Sequence, residues 1–382
     1  MKISKVIISF IMAGVFMLIS IFPICALEIK EPTIEMNVKS AILMDANTGT
    51  VLYSYNEDER LAPASVTKIM TLLLVFEAID DGKLKYDDIL TVSENASSMG
   101  GSQIFLEPGE NMSVNDLLKS VIMASANDAA VTLAEHVCGS EEAFVERMNE
   151  RAKELGMENT SFENATGLDD DTKAHLTSAK DIAIMSMELL KHEKVMDYTT
   201  IWMDTVRNGE FGLTNTNRLI RFYRGITGLK TGYTSEAGFC ISATAKRDGM
   251  NLIAVIMGAE SSDQRNACAA KLLDYGFANY SVYKNSESGA GKVRVLGGVS
   301  DYVNAKYDNL ELLINKGDNN KISYKLELKE SMCAPIQKGD VCGEVIYYLN
   351  GKELLRQDIY CTSSVEKITL IDYLIRIYKK IF

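Results

Sequence analysis

Ala62-Pro63-Ala64-Ser65-Val66-Thr67-Lys68-Ile69-Met70, continuing as Thr71-Leu72-Leu73-Leu74-Val75-Phe76-Glu77-Ala78, is the stretch that decides the fold. Pro63 and Ala64 end an extended approach, and the apolar helix formers after them predict a mostly buried helix with Ser65 at or just inside its N-terminus. Residues i and i+3 share a helix face, roughly 5–6 Å apart at Cβ. The Lys68 amine can therefore reach the Ser65 hydroxyl. An apolar wall disfavours the charged amine and lowers its pKa, and a neutral lysine beside a serine is a general base beside its nucleophile. Backbone N–H groups and the positive dipole end of the helix suit an oxyanion forming there. Alone, Ser-x-x-Lys is also what an N-cap serine followed by a surface lysine looks like. The rest of the chain has to decide.

Upstream, Lys2 and Lys5 precede an apolar run over 6–26, and Leu27-Glu28-Ile29-Lys30-Glu31 then turns charged. A basic start, an apolar core and a small residue at Ala26 predict a secretory signal over 1–26, cleaved after Ala26. The run is long enough to span a bilayer uncleaved, so a retained anchor is the alternative. Cys25 suggests a lipid-modified cysteine, but Phe22-Pro23-Ile24 before it lacks the small residues such sites need. The chain reads as exported. About 356 of its 382 residues then remain, too many for one ordinary domain and enough for two. A net charge of −12 and a pI near 5.0 argue against a nucleic-acid partner. Cys138, Cys240, Cys268, Cys333, Cys342 and Cys361 are scattered without metal-like spacing, so most read as buried small side chains, with a disulfide within 333–361 left open.

Downstream, two apolar runs around Asn47-Thr48-Gly49 predict a hairpin over 40–55. The helix after Ser65 ends near Asp80-Asp81-Gly82, and a polar loop with short strands covers 91–109. Ser113 caps a predicted helix over 114–123, which breaks at Ser125-Ala126-Asn127 before another over 129–137. Ser140-Glu141-Glu142 opens a further helix closed by Gly156, and Thr177 is the expected cap of the one containing 183–190. Sheet returns after Gly225, with an antiparallel hairpin about Arg247-Asp248-Gly249 and a closing helix over 263–279. Ser and Gly over 286–291 predict a linker. Beyond it, short alternating strands form a small β-domain without a catalytic cluster, best read as a spacer. The last stretch, 365–382, carries Ile368, Ile371, Leu374, Ile375, Tyr378, Ile381 and Phe382 at helical spacing, with Asp372, Arg376, Lys379 and Lys380 mostly off that face. This amphipathic helix is expected to anchor the protein on a membrane surface; docking on its own domain is the alternative.

Two further elements join Ser65-Val66-Thr67-Lys68 in order: Ser125-Ala126-Asn127 and Lys230-Thr231-Gly232. Ser125 falls in a break between helices, where a hydroxyl can face a cleft and relay a proton between a lysine amine and a leaving nitrogen. The Asn127 amide has donors and an acceptor enough to hold Lys68 and a substrate amide at once. Lys230 and Thr231 open an edge strand and suit a substrate carboxylate, while Gly232 lets a substrate backbone approach. An extended peptide can add to such an edge. A loop cap and an ordinary turn would explain each element singly. Three in order on an exported chain carry more than their parts.

The trio resembles the signature of penicillin-binding proteins and class A β-lactamases. The likeness extends to Leu61–Met70, to Ser98-Met99-Gly100-Gly101-Ser102-Gln103-Ile104-Phe105-Leu106, to Asn215-Thr216-Asn217-Arg218-Leu219-Ile220, to 227–233 and to Ala334-Pro335-Ile336-Gln337-Lys338-Gly339. Over nearly the whole mature chain it is similar to exported D-alanyl-D-alanine carboxypeptidases, low-molecular-mass penicillin-binding proteins, especially those of spore-forming bacteria. The resemblance implies an α+β fold: a penicillin-binding-protein/β-lactamase-like catalytic domain over 27–285, with an antiparallel sheet, flanking helices and a helical subdomain. A β-rich domain over 292–364 and the amphipathic helix over 365–382 would follow. It implies Ser65 as the acyl-ester nucleophile, Lys68 as its base, Ser125 and Asn127 as the second element, and Lys230 and Thr231 on the substrate's terminal carboxylate. The N–H groups of Ser65 and Tyr233 would form the oxyanion hole, and Arg265 would lie near the carboxylate. Relatives commonly have Ser-Gly-Asn where this chain has Ser-Ala-Asn. The implied partners are peptidoglycan stem peptides ending in D-Ala-D-Ala and β-lactams as covalent inhibitors, met at the outer face of the cytoplasmic membrane; no cofactor or metal is expected.

Other readings fit less well. A class A β-lactamase needs a glutamate to activate the deacylating water, and Glu163-Asn164-Ala165-Thr166 lacks the Leu-Asn that follows such a residue. A Ser-His-Asp hydrolase would have only His136, His175 and His192 to use, with no G-x-S-x-G. His192-Glu193 has no second histidine for zinc. A peptidoglycan receptor without turnover remains as a non-enzyme alternative, against which the intact Ser65–Lys68 pair argues.

Overall fold

The apolar run after Ser65 forms the helix Lys68–Asp80, in which Lys68 to Val75, Phe76 and Ala78 are all buried. A helix apolar all round has no face for solvent and must lie inside its domain. Helices Ala179–Leu189 and Asn127–Cys138 pack on it. Ser65 itself stands one turn earlier than expected, in a 3-10 turn Ala64–Thr67. Ala64 has φ +49°, and its carbonyl accepts the Thr67 hydroxyl at 2.9 Å. That kinked entry keeps Ser65 off the helix axis while the lysine three residues on begins the helix proper.

The computed structural model describes residues 34–168, 173–286 and 289–381; the expected signal over 1–26 and Phe382 lie outside the described residues. Two compact units divide the chain, one ending at Val282 and one beginning at Tyr283. In the first, five antiparallel strands run in the order Val51–Tyr55, Ser40–Asp45, Met250–Ala259, Gly238–Arg247, Ile226–Thr234. The hairpin over 40–55 is present, with a bulge between Leu43 and Met44. Ser40–Asp45 is buried at every position because helices cover both faces of the sheet, which is why its sequence is a continuous apolar run rather than an alternation. Helix Ser262–Asn279 comes so close that a Cβ on Gly276 would stand 2.4 Å from Leu252 Cδ1.

The helical region departs from expectation at its junctions. Ser113 caps Val114–Lys119 by accepting from Asp116 N–H at 3.1 Å, but Ser120–Ala124 is wound as a π turn. It ends on Ser125 in the left-handed region, φ +63° and ψ +27°. The next helix starts at Asn127, two residues before the expected 129. Ser178, not Thr177, caps Ala179–Leu189. Thr177 is unavailable because its backbone N–H and carbonyl both pair with Leu61.

The second unit holds a six-stranded sheet in the order Ile322–Leu328, Val341–Leu349, Lys352–Cys361, Tyr302–Lys306, Gly289–Leu296, Ser331–Cys333. Gly289 already belongs to a strand, so the described break is shorter than the predicted linker. Tyr302–Lys306 reads as polar because alternate residues face water. All six described cysteines are free thiols. The terminal helix is Leu370–Ile381, its start set by reciprocal bonds between Thr369 and Asp372. Arg376 ties it to Asp301 and to the Val299 carbonyl, while Leu370, Ile371 and Leu374 are exposed at 76, 69 and 57%.

Candidate active site

Lys68 is completely buried, and its Nζ meets three groups: Ser65 Oγ at 3.0 Å, Asn127 Oδ1 at 2.5 Å and the Thr166 carbonyl at 2.8 Å. Burial, and then the nearby Lys230 charge, holds its pKa well below the ordinary 10.5, with Asp128 opposing. Asn127 is oriented by its own Nδ2, which donates to the Gly100 carbonyl at 2.7 Å and leaves one N–H for a substrate. The buried Asp128 carboxylate accepts the backbone N–H groups of Ile104 and Leu106, pinning the segment 100–106 against the start of the Asn127 helix. Two recognised stretches, Ser98–Leu106 and Ser125–Asn127, thus act as one rigid wall.

Lys230, 1% exposed, reaches Ser125 Oγ at 2.8 Å and the Thr231 carbonyl at 2.9 Å. Burial and the Arg265 charge lower its pKa to about 7. The left-handed backbone at Ser125 turns that hydroxyl out of the helix and toward the strand. Thr231 Oγ1 donates to Thr216 Oγ1 at 2.7 Å, bringing the 215–220 segment to the site. Lys230, Thr231 and Gly232 sit inside the edge strand Ile226–Thr234 rather than opening it. A Cβ on Gly232 would lie 2.9 Å from Ser65 N and 3.0 Å from Pro63 O, so only glycine lets the edge strand close on the serine turn. Tyr233 is 58% exposed, its ring stacked on Phe239 at 4.3 Å. Arg265 is buried, lowered to about 10 by that burial, and lines a cleft of about 700 Å³ with Thr231.

Three residues of this site carried no signal on their own. Thr166 presents a carbonyl, a role independent of side chain. Gly167 has φ +80° and room for no side chain, since a Cβ would stand 1.9 Å from the Ala64 carbonyl oxygen. Thr216 was visible only within a longer recognised stretch. His175 is buried, and Glu163 N–H donates to its Nδ1 at 3.0 Å, so the proton is on Nε2, which donates to Thr67 Oγ1 at 2.8 Å. Desolvation lowers its pKa to about 4; it is a neutral buttress, not a catalytic-triad base. The Glu163 carboxylate is exposed and held by the N–H groups of Ala174 and Lys173, which lower its pKa. It is committed to its own loop.

Fold and site together define a serine hydrolase with a Ser-x-x-Lys centre, built between a helical region and the edge strand of an antiparallel sheet. A family profile described as D-alanyl-D-alanine carboxypeptidase, peptidase S11, matches residues 27–261. One described as the C-terminal domain of penicillin-binding protein 5 matches 277–367. The chain is 46% identical over 346 residues to the D-alanyl-D-alanine carboxypeptidase DacF of Bacillus subtilis, covering 88% of each chain. It is 35% identical over 352 residues to DacC of Escherichia coli, covering 88% of this chain and 87% of that one. Penicillin-binding protein 5 of Haemophilus influenzae superposes with a TM-score of 0.75 at 32% identity, over 88% of this chain and all of that one, 100%. Penicillin-binding protein D2 of Listeria monocytogenes in its cefotaxime-bound form gives 0.60 at 34% identity, over 65% of this chain and 100% of that one. The chain belongs to the peptidase S11 family of D-alanyl-D-alanine carboxypeptidases and is a serine-type hydrolase.

Proposed function

We propose that this enzyme trims the terminal D-alanine from peptidoglycan stem peptides, with Ser65 as nucleophile and Lys68 as its base. The observation that carries the assignment is the three-way contact of the Lys68 amine. Two of its neighbours, Asn127 Oδ1 and the Thr166 carbonyl, can only accept. A neutral amine has two N–H bonds to give them, which leaves its lone pair for the Ser65 hydroxyl at 3.0 Å.

Ser65 Oγ attacks the penultimate D-Ala carbonyl while its proton passes to Lys68 Nζ. The developing oxyanion meets the N–H groups of Ser65 and Tyr233, fixed in place by the contact between Gly232 and the serine turn. Ser125, bonded to Lys230, relays the proton: its hydroxyl gives a proton to the departing nitrogen and takes in its place the one that Lys68 received, so the C–N bond breaks with Ser125 reprotonated and Lys68 neutral again. Lys230, Thr231 and Arg265 hold the terminal carboxylate; binding that anion restores the proton Lys230 tends to lose when the site is empty. Water, deprotonated by Lys68, then cleaves the ester and frees Ser65. β-Lactams enter by the same attack.

The protein acts outside the cell, at the outer face of the cytoplasmic membrane and the wall. The N-terminal segment reads as an export signal, and the exposed Leu370, Ile371, Leu374 and Ile375 suit the membrane surface. No described helix is long and apolar enough to cross a membrane.

The test is Ser65→Ala, assayed for D-alanine release from a peptide ending in D-Ala-D-Ala and for covalent labelling by a fluorescent penicillin. Both should vanish. Persistent labelling at one site would show that another residue is the nucleophile, and labelling of the native protein without turnover would favour a receptor.

A further inference from the structure

Ile104, Phe105 and Leu106, in the wall beside Asn127, belong to no helix or strand. Two charged side chains hold them instead. Asp128 accepts the N–H groups of Ile104 and Leu106 at 3.1 and 3.0 Å. The carbonyls of Ile104 and Phe105 accept from Arg207 Nη1 and Nη2 at 2.8 and 2.9 Å. Arg207 stands at the turn of a hairpin, Met203–Val206 with Phe211–Thr214, and reaches 103 residues back along the chain to Ile104. Its Nε and Nη2 also donate to the two carboxylate oxygens of Glu110, at 2.7 and 2.8 Å. A planar guanidinium with five N–H bonds can make these contacts together, whereas an ammonium has only three. The Arg207 and Glu110 side chains are 21 and 22% exposed, so water and salt screen this pair less than one on the open surface. Strained backbone lies on each side of the clamp. Phe105 has φ +56°, a region that a bulky residue keeps only when its surroundings impose it, and Arg207 has φ +54°.

The same wall orients the lysine at the centre of the site. The Ser102 carbonyl accepts Asn127 N–H and the Gly100 carbonyl accepts Asn127 Nδ2, both at 2.7 Å. Asn127 Oδ1 in turn accepts from Lys68 at 2.5 Å. We propose that Arg207 is a positioning residue for the reaction: with Glu110 it locks the segment 100–106, so that Asn127 presents Lys68 to the Ser65 hydroxyl. Its bonds go to Ile104, Phe105 and Glu110, so its effect reaches the site through the wall. Lys68 serves as base both when Ser65 attacks and when water frees it. A looser wall therefore slows both steps together, which lowers kcat and leaves KM near its native value. Recognition of the substrate carboxylate is spared, because Lys230 and Thr231 lie on the strand Ile226–Thr234 and Arg265 on the helix Ser262–Asn279. Thr216, just past the hairpin, keeps its own tie to the Met123 carbonyl at 3.0 Å. This inference rests on the carboxypeptidase assignment and adds a residue to that site.

Arg207→Ala and Arg207→Lys are compared with the native full chain for D-alanine release from a peptide ending in D-Ala-D-Ala, with rates expressed per site titrated by a fluorescent penicillin. Arg207→Ala should lower kcat about tenfold, within the range that a misplacement remote from the chemistry costs, and change KM by less than about twofold. Ethylguanidinium added to Arg207→Ala should restore most of the lost kcat, and Arg207→Lys should stay below the native rate. An unchanged kcat per titrated site, or a loss confined to KM, would overturn the inference. So would a loss confined to the number of titratable sites, which marks a merely structural role. If Arg207→Ala does not fold, Glu110→Gln carries the same test: kcat about threefold lower at native KM is expected, and a native kcat overturns the inference. A native chain that is acylated by penicillin yet releases no D-alanine would overturn the carboxypeptidase assignment instead. The clamp is then read from the penicillin acylation rate of the same variants, where the same loss of about tenfold is expected.

Discussion

Lys68 and Lys230 are buried amines that, among the described residues, bond to no carboxylate. Desolvation then favours the neutral form of each, and a neutral Lys68 is what base catalysis needs. Lys68→Arg keeps a donor in place but cannot shed its proton, so acylation by penicillin should fall at least ~10²-fold, the scale of lost general-base catalysis. Near-normal acylation would remove Lys68 from the mechanism. Lys230 gives a second, thermodynamic prediction. Its pKa is 10.5 in the unfolded chain and about 7 in the fold. Below pH about 7 both states carry the proton and the burial penalty is fully present. Above it the unfolded chain binds the proton and the folded one does not, so stability rises with pH toward 10.5. Cys240, pushed up to about 11, works oppositely only once the unfolded thiol ionises near 9. Thermal unfolding should therefore show increasing stability between pH of about 7 and 8.5, and Lys230→Met should make that slope shallower while leaving the share that Lys68 contributes with the same sign. An unchanged slope would mean that Lys230 stays charged in the empty site.

The element that most constrains the catalytic lysine is the loop around 163–168, not the helix that bears it. Asn164 Oδ1 accepts the N–H groups of Thr166 and Gly167 at 3.1 and 2.7 Å. This turns the Ala165 carbonyl to the Thr71 hydroxyl at 2.6 Å and the Thr166 carbonyl to Lys68. Gly167 makes the arrangement possible by its positive φ and its contact with Ala64. Gly167→Ala should cost about 2–4 kcal/mol, as expected where backbone strain and a steric clash combine. Because Ala64 precedes the nucleophile, penicillin labelling should fall at temperatures where circular dichroism still shows a folded protein. Wild-type labelling and melting would refute this placement. The helices and hairpins around the loop were legible from apolar spacing and capping residues. Their ends were not: whether Thr177 or Ser178 caps a helix depends on Leu61, more than a hundred residues away.

For the whole molecule, the proposed place of work rests on Leu370–Ile381. Leu370, Ile371, Leu374, Ile375 and Ile377 are exposed while Arg376 is engaged by Asp301 and Val299. Under that proposal the exposed apolar residues enter the membrane interface, with basic residues adding about 1 kcal/mol each near anionic lipid. Truncation after Ser364 should leave a folded, active enzyme that no longer sediments with anionic vesicles. A markedly lower melting temperature would make the helix part of the domain fold instead. By itself the sequence determined the class of chemistry, because three short elements require particular residue types: a serine with a lysine one turn on, a hydroxyl and amide at a helix break, and a lysine, hydroxyl and glycine on an edge strand. It also determined the existence of a buried central helix, an antiparallel sheet and a separate β-domain, through apolar runs and turn residues. What only the tertiary structure decided is which atoms face one another. The Thr166 carbonyl, the Gly167 contact, the pairing of Lys230 with Ser125 and the π turn that aims Ser125 all join segments 98 to 105 residues apart or rest on backbone geometry. A backbone carbonyl has no letter in the sequence, and a long-range contact leaves no local period.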